Sequence, residues 1–385
     1  MRVLFVTHSF PRHAGDTAGA FVLRLAAALG NIGVTVEVLA PSAPTLPSVD
    51  TIEGITVRRF RYAPGQWETL AYAGTMAEQV QASLRGKAVL AGLLAGGTLA
   101  VRRSLSTFAP DVIHAHWWFP SGLMVLSAIA RQPLVTTMHG SDVRLAAKNS
   151  WAPVLFRRVM QRSAAVTTVS AFLADGAAAM EPGVAAEIEP MPVNIDLFSP
   201  AGVRAQSQFL FVGRLNAQKG IRVLLDALAS TRPNTSLDVV GEGPDEPALR
   251  AHASARGLAA RVRWHGALPQ QLLVPLYRSA TALVVPSEGE GLGLVAVEAQ
   301  LCETPVIAFN SGGITDVIHH EVTGTLVPAG DSAALAAAMD DVVANPARAA
   351  ALGKAGRATA LTRFAPAAVA ARYKVIYDRV RNDRH

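Results

Sequence analysis

Hydrophobic positions along this chain follow two alternating rhythms. Short runs of β-branched and aliphatic residues predict strands at Val3–Thr7, Val34–Leu39, Thr56–Arg61, Val112–His116, Leu134–Met138 and Ala165–Val169. Between them, Ala- and Leu-rich stretches with helical periodicity predict helices at Ala20–Leu29, Met124–Arg131 and Ala152–Arg162. The strands are apolar throughout rather than on alternate positions, which means a parallel sheet covered on both faces.

The rhythm breaks where Pro190, Pro192 and Pro200 crowd together, then resumes. Strands follow at Phe209–Val212, Ser236–Val240, Arg261–Trp264, Ala282–Val285 and Pro305–Ala308, with helices at Ile221–Ser230, Asp245–Ser254 and Leu294–Cys302. The expected division is therefore a Rossmann-like domain over 1–197, a second over 198–365, and a C-terminal segment over 366–385. The linker is expected near 195–206, and the last helix, about Pro366 to Arg379, is expected to cross back to the first domain. At 385 residues the chain is too long for one ordinary core. The fold class is α/β, two doubly wound parallel sheets, whose ligand-binding strand ends are expected to face a central cleft.

Composition narrows the function only slightly. Half the residues are hydrophobic and 17% are charged, which excludes a disordered chain. The formal charge of +6 is scattered, so nucleic acid is not an expected partner, whereas a nucleoside diphosphate or an anionic membrane surface is compatible. Arg58, Arg59 and Arg61 form one candidate membrane-facing group, and Arg157, Arg158 and Arg162 another; a solvated basic face is the plainer reading of each. The lone Cys302 precludes an intramolecular disulfide. The N-terminus reads as a strand rather than a signal peptide. The longest apolar run, Ala88 to Val101, is shorter than the ~20 residues of a membrane span and reads as a buried helix. A cytoplasmic location is expected, with peripheral contact at the inner membrane face as an option.

Three glycine-bearing strand-to-helix junctions carry the chemistry. In Pro286-Ser287-Glu288-Gly289-Glu290-Gly291-Leu292-Gly293-Leu294, glycines open a helix whose free N–H groups suit a diphosphate. Glu290 and Glu298 lie eight positions apart, ~12 Å if the whole interval were helical. One carboxylate can then address a sugar and the other a ribose. In Gly213-Arg214-Leu215-Asn216-Ala217-Gln218-Lys219-Gly220, two cations can neutralise a departing diphosphate. Val240-Gly241-Glu242-Gly243-Pro244 is a third, less specific junction. The G-x-G-x-x-G fingerprint is missing after the first strand, which argues against a nicotinamide or flavin dehydrogenase.

Taken in order, FVGRLNAQKG, VGEGP, His265-Gly266, PSEGEGLGLVAVEA, TPVIAFNSGGITDVI and GTLVPAGD resemble the retaining glycosyltransferases of family 4, which have the GT-B fold. The resemblance covers nearly the whole chain. It implies a nucleotide diphosphate sugar, UDP- or GDP-linked, held in the C-terminal domain as co-substrate, with no further cofactor and no metal. Arg214 and Lys219 would hold the diphosphate, Glu290 the sugar hydroxyls and Glu298 the ribose. Gly213, Gly241, Gly291, Leu292, Gly293 and Leu294 would line the donor. A hexose would be transferred with retention, by attack from the face that the diphosphate leaves. The acceptor, bound in the N-terminal domain, would be a lipid-linked saccharide or glycolipid of a surface-polysaccharide pathway, or else a small molecule.

In the N-terminal domain the resemblance implies that His139, in Thr137-Met138-His139-Gly140-Ser141-Asp142, contacts the sugar near the reacting centre. Gly15, Gly19, His116 and Asp142 are candidates for a phosphate or acceptor loop; Gly15 and Gly19 depart from the paired glycines commoner in the family. His114 and His116 share one strand face, too few ligands for zinc. Trp117 and Trp118 either stack on a sugar or pack in the core. A nucleotide-sugar 2-epimerase, a sugar phosphorylase and a cytoplasmic sugar- or nucleotide-binding protein are the competing readings.

Overall fold

The structure, a computed structural model, describes all residues except 73–75, 149–150, 203 and 384–385. Residue 203 of the expected linker and the last two residues of the expected C-terminal segment thus lie outside it. The chain forms two compact units: Met1–Pro192 together with Pro366–His385, and Val193–Ala365. The division falls after Pro192 rather than after residue 197.

The first unit holds eight strands: β1 (Arg2–Val6), β2 (Thr35–Pro41), β3 (Val49–Ile52), β4 (Ile55–Phe60), β5 (Val112–His116), β6 (Leu134–Met138), β7 (Ala165–Thr168) and β8 (Ala186–Ile188). Their order is β3-β4-β2-β1-β5-β6-β7-β8, parallel except for the β3–β4 hairpin. Val3, Leu4, Phe5 and Val6 of β1 are fully buried, as a strand covered on both faces must be. The hairpin was not expected from the pattern. Its loop, Glu53-Gly54, has positive φ at both residues (50° and 80°), the backbone a two-residue turn between twisted strands requires.

Helix Leu84–Thr107 corrects the buried-helix expectation. Its buried residues, Gly86, Val89, Leu93, Gly97, Val101 and Ser104, recur every three or four positions and form one stripe. Leu84 and Leu99 are 82% and 63% exposed. Its 24 residues are long and apolar enough to cross a membrane by length and composition, although Gly92 and Gly96 lie hard against the backbone carbonyls of Tyr62 and Arg61. The helix expected to reach Arg131 stops at Ala128 because Ile129 turns left-handed (φ 55°).

The second unit holds β9 (Gln208–Val212), β10 (Ser236–Val240), β11 (Val262–Trp264), β12 (Ala282–Val285), β13 (Val306–Phe309) and β14 (Thr325–Val327), all parallel, in the order β11-β10-β9-β12-β13-β14. The order reverses between β9 and β12. In the first unit it reverses between β1 and β5. Such switch points are where open parallel sheets bind ligands, because the following loops splay apart there. The glycine-bearing segments after β9 and β12 flank the second unit's switch point.

The final helix, Pro366–Asn382, belongs to the first unit. It buries Val369, Ala370, Tyr373, Ile376, Tyr377 and Val380, and packs on helix Ala20–Gly30.

Candidate active site

In the second unit the two switch-point loops are tied together. The Glu288 N–H donates to the Gln218 carbonyl (3.0 Å), and Gln218 Nε2 donates to the Gly289 carbonyl (3.3 Å). Gly220 is left-handed (φ 65°), and a Cβ there would sit 1.9 Å from the Pro286 carbonyl oxygen, so only glycine lets the loops meet. Lys219 Nζ thereby reaches both carboxylate oxygens of Glu290 at 2.8 Å. The pair is 21% and 15% exposed, sheltered enough to limit screening yet open to a ligand. Arg214 lies exposed on the same loop. The loop thus carries two cations, of which Lys219 is paired with the Glu290 carboxylate.

Helix Leu294–Leu301 starts at left-handed Gly293 (φ 90°), so its first N–H groups point out of the sheet edge beside Gly291 and Leu292. Only Leu294 onward is helical, so the loop, not helical rise, sets the separation of Glu290 from Glu298. Glu298 is 5% exposed and held rigidly: Tyr277 donates its hydroxyl to Oε2 and Gln270 its amide to Oε1, each at 2.9 Å. Burial first, then the Glu298 charge, raises the Tyr277 pKa well above its usual value, so the phenol stays a donor.

Gly241 has a different part from the one expected. Its N–H already donates to the Gly266 carbonyl (2.8 Å), while a Cβ on it would lie 1.9 Å from the Gly213 carbonyl oxygen. It brings the loops after β9 and β10 into contact.

In the first unit, side chains at the ends of β1, β5 and β6 build an aromatic stack. His114 and His116 share a face of β5, with ring centroids 4.2 Å apart. His114 is held by the Tyr377 hydroxyl at Nδ1 (2.7 Å) and the Thr137 hydroxyl at Nε2 (2.6 Å). His116 Nδ1 lies 3.2 Å from His139 Nε2. His139 is further packed by Trp117 and Phe21, with centroids at 4.5 and 5.0 Å.

Burial, followed by the neighbouring imidazoles, lowers the pKa of His114, His116 and His139 well below the usual value, so the stack is neutral at pH 7. His116 Nε2 is buried with no partner. An orphaned lone pair costs less than an orphaned N–H, which assigns the His116 proton to Nδ1. His116 then donates to His139 Nε2 and leaves the His139 proton on Nδ1. His139 is thus a neutral hydrogen-bond donor.

Asp142 is 2% exposed and caps this region. Its Oδ1 accepts from the backbone N–H of His139 (3.1 Å) and Gly140 (3.0 Å), and its Oδ2 from Trp118 (3.3 Å). Burial raises its pKa against the pull of those amides. It shapes the loop instead of offering a free carboxylate. Trp118 is fully buried, donating Nε1–H to the Asp142 carbonyl (2.7 Å), and Trp117 packs between His8 and His139. Both tryptophans are therefore packing residues.

Gly19 would drive a Cβ to 2.3 Å from the Ser9 carbonyl oxygen, whereas Gly15 lies in open space in a loop clamped by the Arg12–Asp16 pair (2.6 Å). Arg59 is buried against the Tyr72 hydroxyl and the Pro11 carbonyl, while Arg58, Arg61 and Arg157 pair with Glu37, Glu68 and Glu181. The two arginine groups are thus largely spent on the protein itself.

The family model for glycosyl transferases group 1 matches residues 199–359, and that for the glycosyl transferase 4-like domain matches 17–194. The chain belongs to the group 1 glycosyltransferase family. A D-inositol 3-phosphate glycosyltransferase of Thermobispora bispora is 31% identical, over 94% of this chain and 90% of the relative. A glycogen synthase of Mycobacterium tuberculosis is 30% identical, over 93% and 89%. Among solved structures, sucrose-phosphate synthase from Thermosynechococcus elongatus superposes with a TM-score of 0.82 (24% identity, 99% of both chains). HepE of Anabaena in complex with UDP-glucose gives 0.73 (20% identity, 98% and 99%). The glycosyltransferase has the GT-B fold of these neighbours, two Rossmann-like domains.

Within this glycosyltransferase the structure brings Lys219 together with Glu290, and His116 with His139. Gln270, Tyr277, His8 and Tyr377 were not singled out from the sequence. Tyr377 lies 263 positions from its partner His114, and no local pattern marks such a residue. His8, directly after β1, could have been found by its place at a strand's carboxyl end.

Proposed function

We propose that this glycosyltransferase moves a hexose, with retention of configuration, from a UDP- or GDP-linked donor in its C-terminal domain to a saccharide acceptor. The observation that carries the reading is the Lys219–Glu290 pair at the switch point, beside Arg214 and above a glycine-opened helix. Arg214 and Lys219 would balance the charge that develops on the leaving diphosphate, supplying what a metal ion supplies elsewhere. Glu290 would turn to the sugar hydroxyls, Glu298 would accept from the ribose, and the His139 Nδ1–H would donate to the transferred sugar. The Anabaena neighbour, in complex with UDP-glucose, supports a UDP-hexose as the first donor to try.

The acceptor we favour is a lipid-linked saccharide of a surface polysaccharide, which would set the enzyme in the cytoplasm at the inner membrane face. The relatives named for D-inositol 3-phosphate favour a second reading, a small phosphorylated polyol.

A thermal-shift panel of nucleoside diphosphates and their sugars tests the donor site, using wild type beside Glu298→Ala and Lys219→Ala. One base's diphosphate should stabilise wild type by mass action, less in both variants, and equally with or without chelator. No shift with any nucleotide in folded protein would sink the proposal. Donor incubated without acceptor should remain unchanged; interconversion of the sugar would point to the epimerase instead.

A further inference from the structure

Beside the histidine stack the first unit carries a half-open cavity of about 420 Å³, whose described lining residues all belong to that unit. His8, Ser9, Ser141 and Asp142 bring polar groups to the lining from the segments after β1 and β6, the second of which also carries His139. The rest of the lining is mostly apolar, with Leu70, Met76, Val80, Leu90, Phe119 and Trp151 the main contributors and Tyr72 and Gln81 the polar exceptions. Trp151 sits edge-on to Phe119 (5.7 Å) and stays 46% exposed, an aromatic surface left wet in the free protein.

Among the described residues the lining holds no lysine or arginine, and so offers no cation as counter-charge for a phosphate. His8 is neutral, because burial lowers its pKa to about 4. Asp142, an acceptor and not a counter-charge for an anion, takes three backbone N–H groups. Two guanidinium groups touch Tyr72, another wall residue, and both are committed: Arg12 to Asp16, and Arg59 to the Tyr72 hydroxyl and the Pro11 carbonyl. A phosphorylated polyol would have to shed its hydration here without a partner.

We propose that this cavity binds the hydrocarbon chain of the acceptor, with the acceptor's saccharide end at His8 and Ser141. The proposal rests on the reading of the N-terminal domain as the acceptor domain. It sets this enzyme apart from relatives whose names carry a phosphorylated polyol.

A series of n-alkyl glucosides from butyl to octyl, titrated calorimetrically below their micellar concentrations, tests it. Each added methylene should tighten binding about fourfold until the cavity is full. Val80→Asp should abolish that dependence in protein whose circular dichroism and thermal unfolding match wild type, while the nucleoside diphosphate still binds the other domain. The wild-type series stands without any variant. Affinity indifferent to chain length would overturn the proposal, as would inositol phosphate binding that Val80→Asp removes. Loss of nucleotide binding in wild type would instead count against the transferase reading, whatever the alkyl series shows.

Discussion

Replacing Gly241 by alanine should disable the donor site without changing Arg214, Lys219, Glu290 or Glu298. The new Cβ would lie 1.9 Å from the Gly213 carbonyl oxygen, with φ at 134°, a backbone region that side chains rarely enter. The loop after β9 must retreat by roughly 1.5 Å before an ordinary contact is restored. Three hydrogen bonds cross this seam: Gly213 N–H to the Val240 carbonyl (3.0 Å), Leu215 N–H to the Glu242 carbonyl (2.9 Å) and Asp245 N–H to the Leu215 carbonyl (3.1 Å). Backbone strain costs about 1–3 kcal/mol, and each strained hydrogen bond about 1 kcal/mol. The sum, about 4–6 kcal/mol, lowers the melting temperature of a domain this size by on the order of 10–20 °C. The same retreat carries Arg214 and Lys219 away from Glu290, and an error of ~1 Å in such a constellation costs about a hundredfold in rate. Gly257→Ala is the control: its φ is also positive (70°), but nothing lies within 4 Å of the added carbon, so only about 1 kcal/mol is at stake. Calorimetry and nucleotide titration of both variants decide the matter. If Gly241→Ala melts and binds nucleotide as Gly257→Ala does, the loops are not held by this contact and the reasoning fails.

Tyr377→Phe leaves His114 Nδ1 buried without its partner at 2.7 Å and should cost about 1–3 kcal/mol in denaturant unfolding. An unchanged midpoint would show that the C-terminal helix does not brace the stack. Acid should weaken the first unit early. The His8 pKa falls from its ordinary 6.5 to about 4 in the folded protein, so the unfolded chain binds the proton more readily. Stability is then fully present above about pH 6.5 and is lost as the pH falls towards 4, by on the order of 3 kcal/mol from this residue alone. His8→Phe should flatten that part of the unfolding profile, and an identical pH slope in the variant would contradict the assignment.

Much of this protein could be read before any coordinates, because local periodicity decides whether a segment is strand or helix. Strands such as Val112–His116 and Ala282–Val285 appear where the apolar runs put them. The glycines of the Gly213–Gly220 and Gly289–Gly293 loops likewise mark strand-to-helix junctions. The misses have local causes as well. The β3–β4 hairpin hid behind a Glu53-Gly54 turn, and helix Leu84–Thr107 looked buried because hydropathy cannot say which of its faces finds a partner.

What the chain alone could not decide is which distant residues meet. That Tyr277 and Gln270 grip Glu298, and that Tyr377 holds His114, follows from strand order and helix packing, which single-residue patterns do not encode. Reversal of strand order between β9 and β12 is what turns two separate loops into one site. The apolar cavity is likewise a tertiary product. Leu70, Val80, Phe119 and Trp151 belong to four different segments, and only their packing decides that they enclose a space instead of filling it.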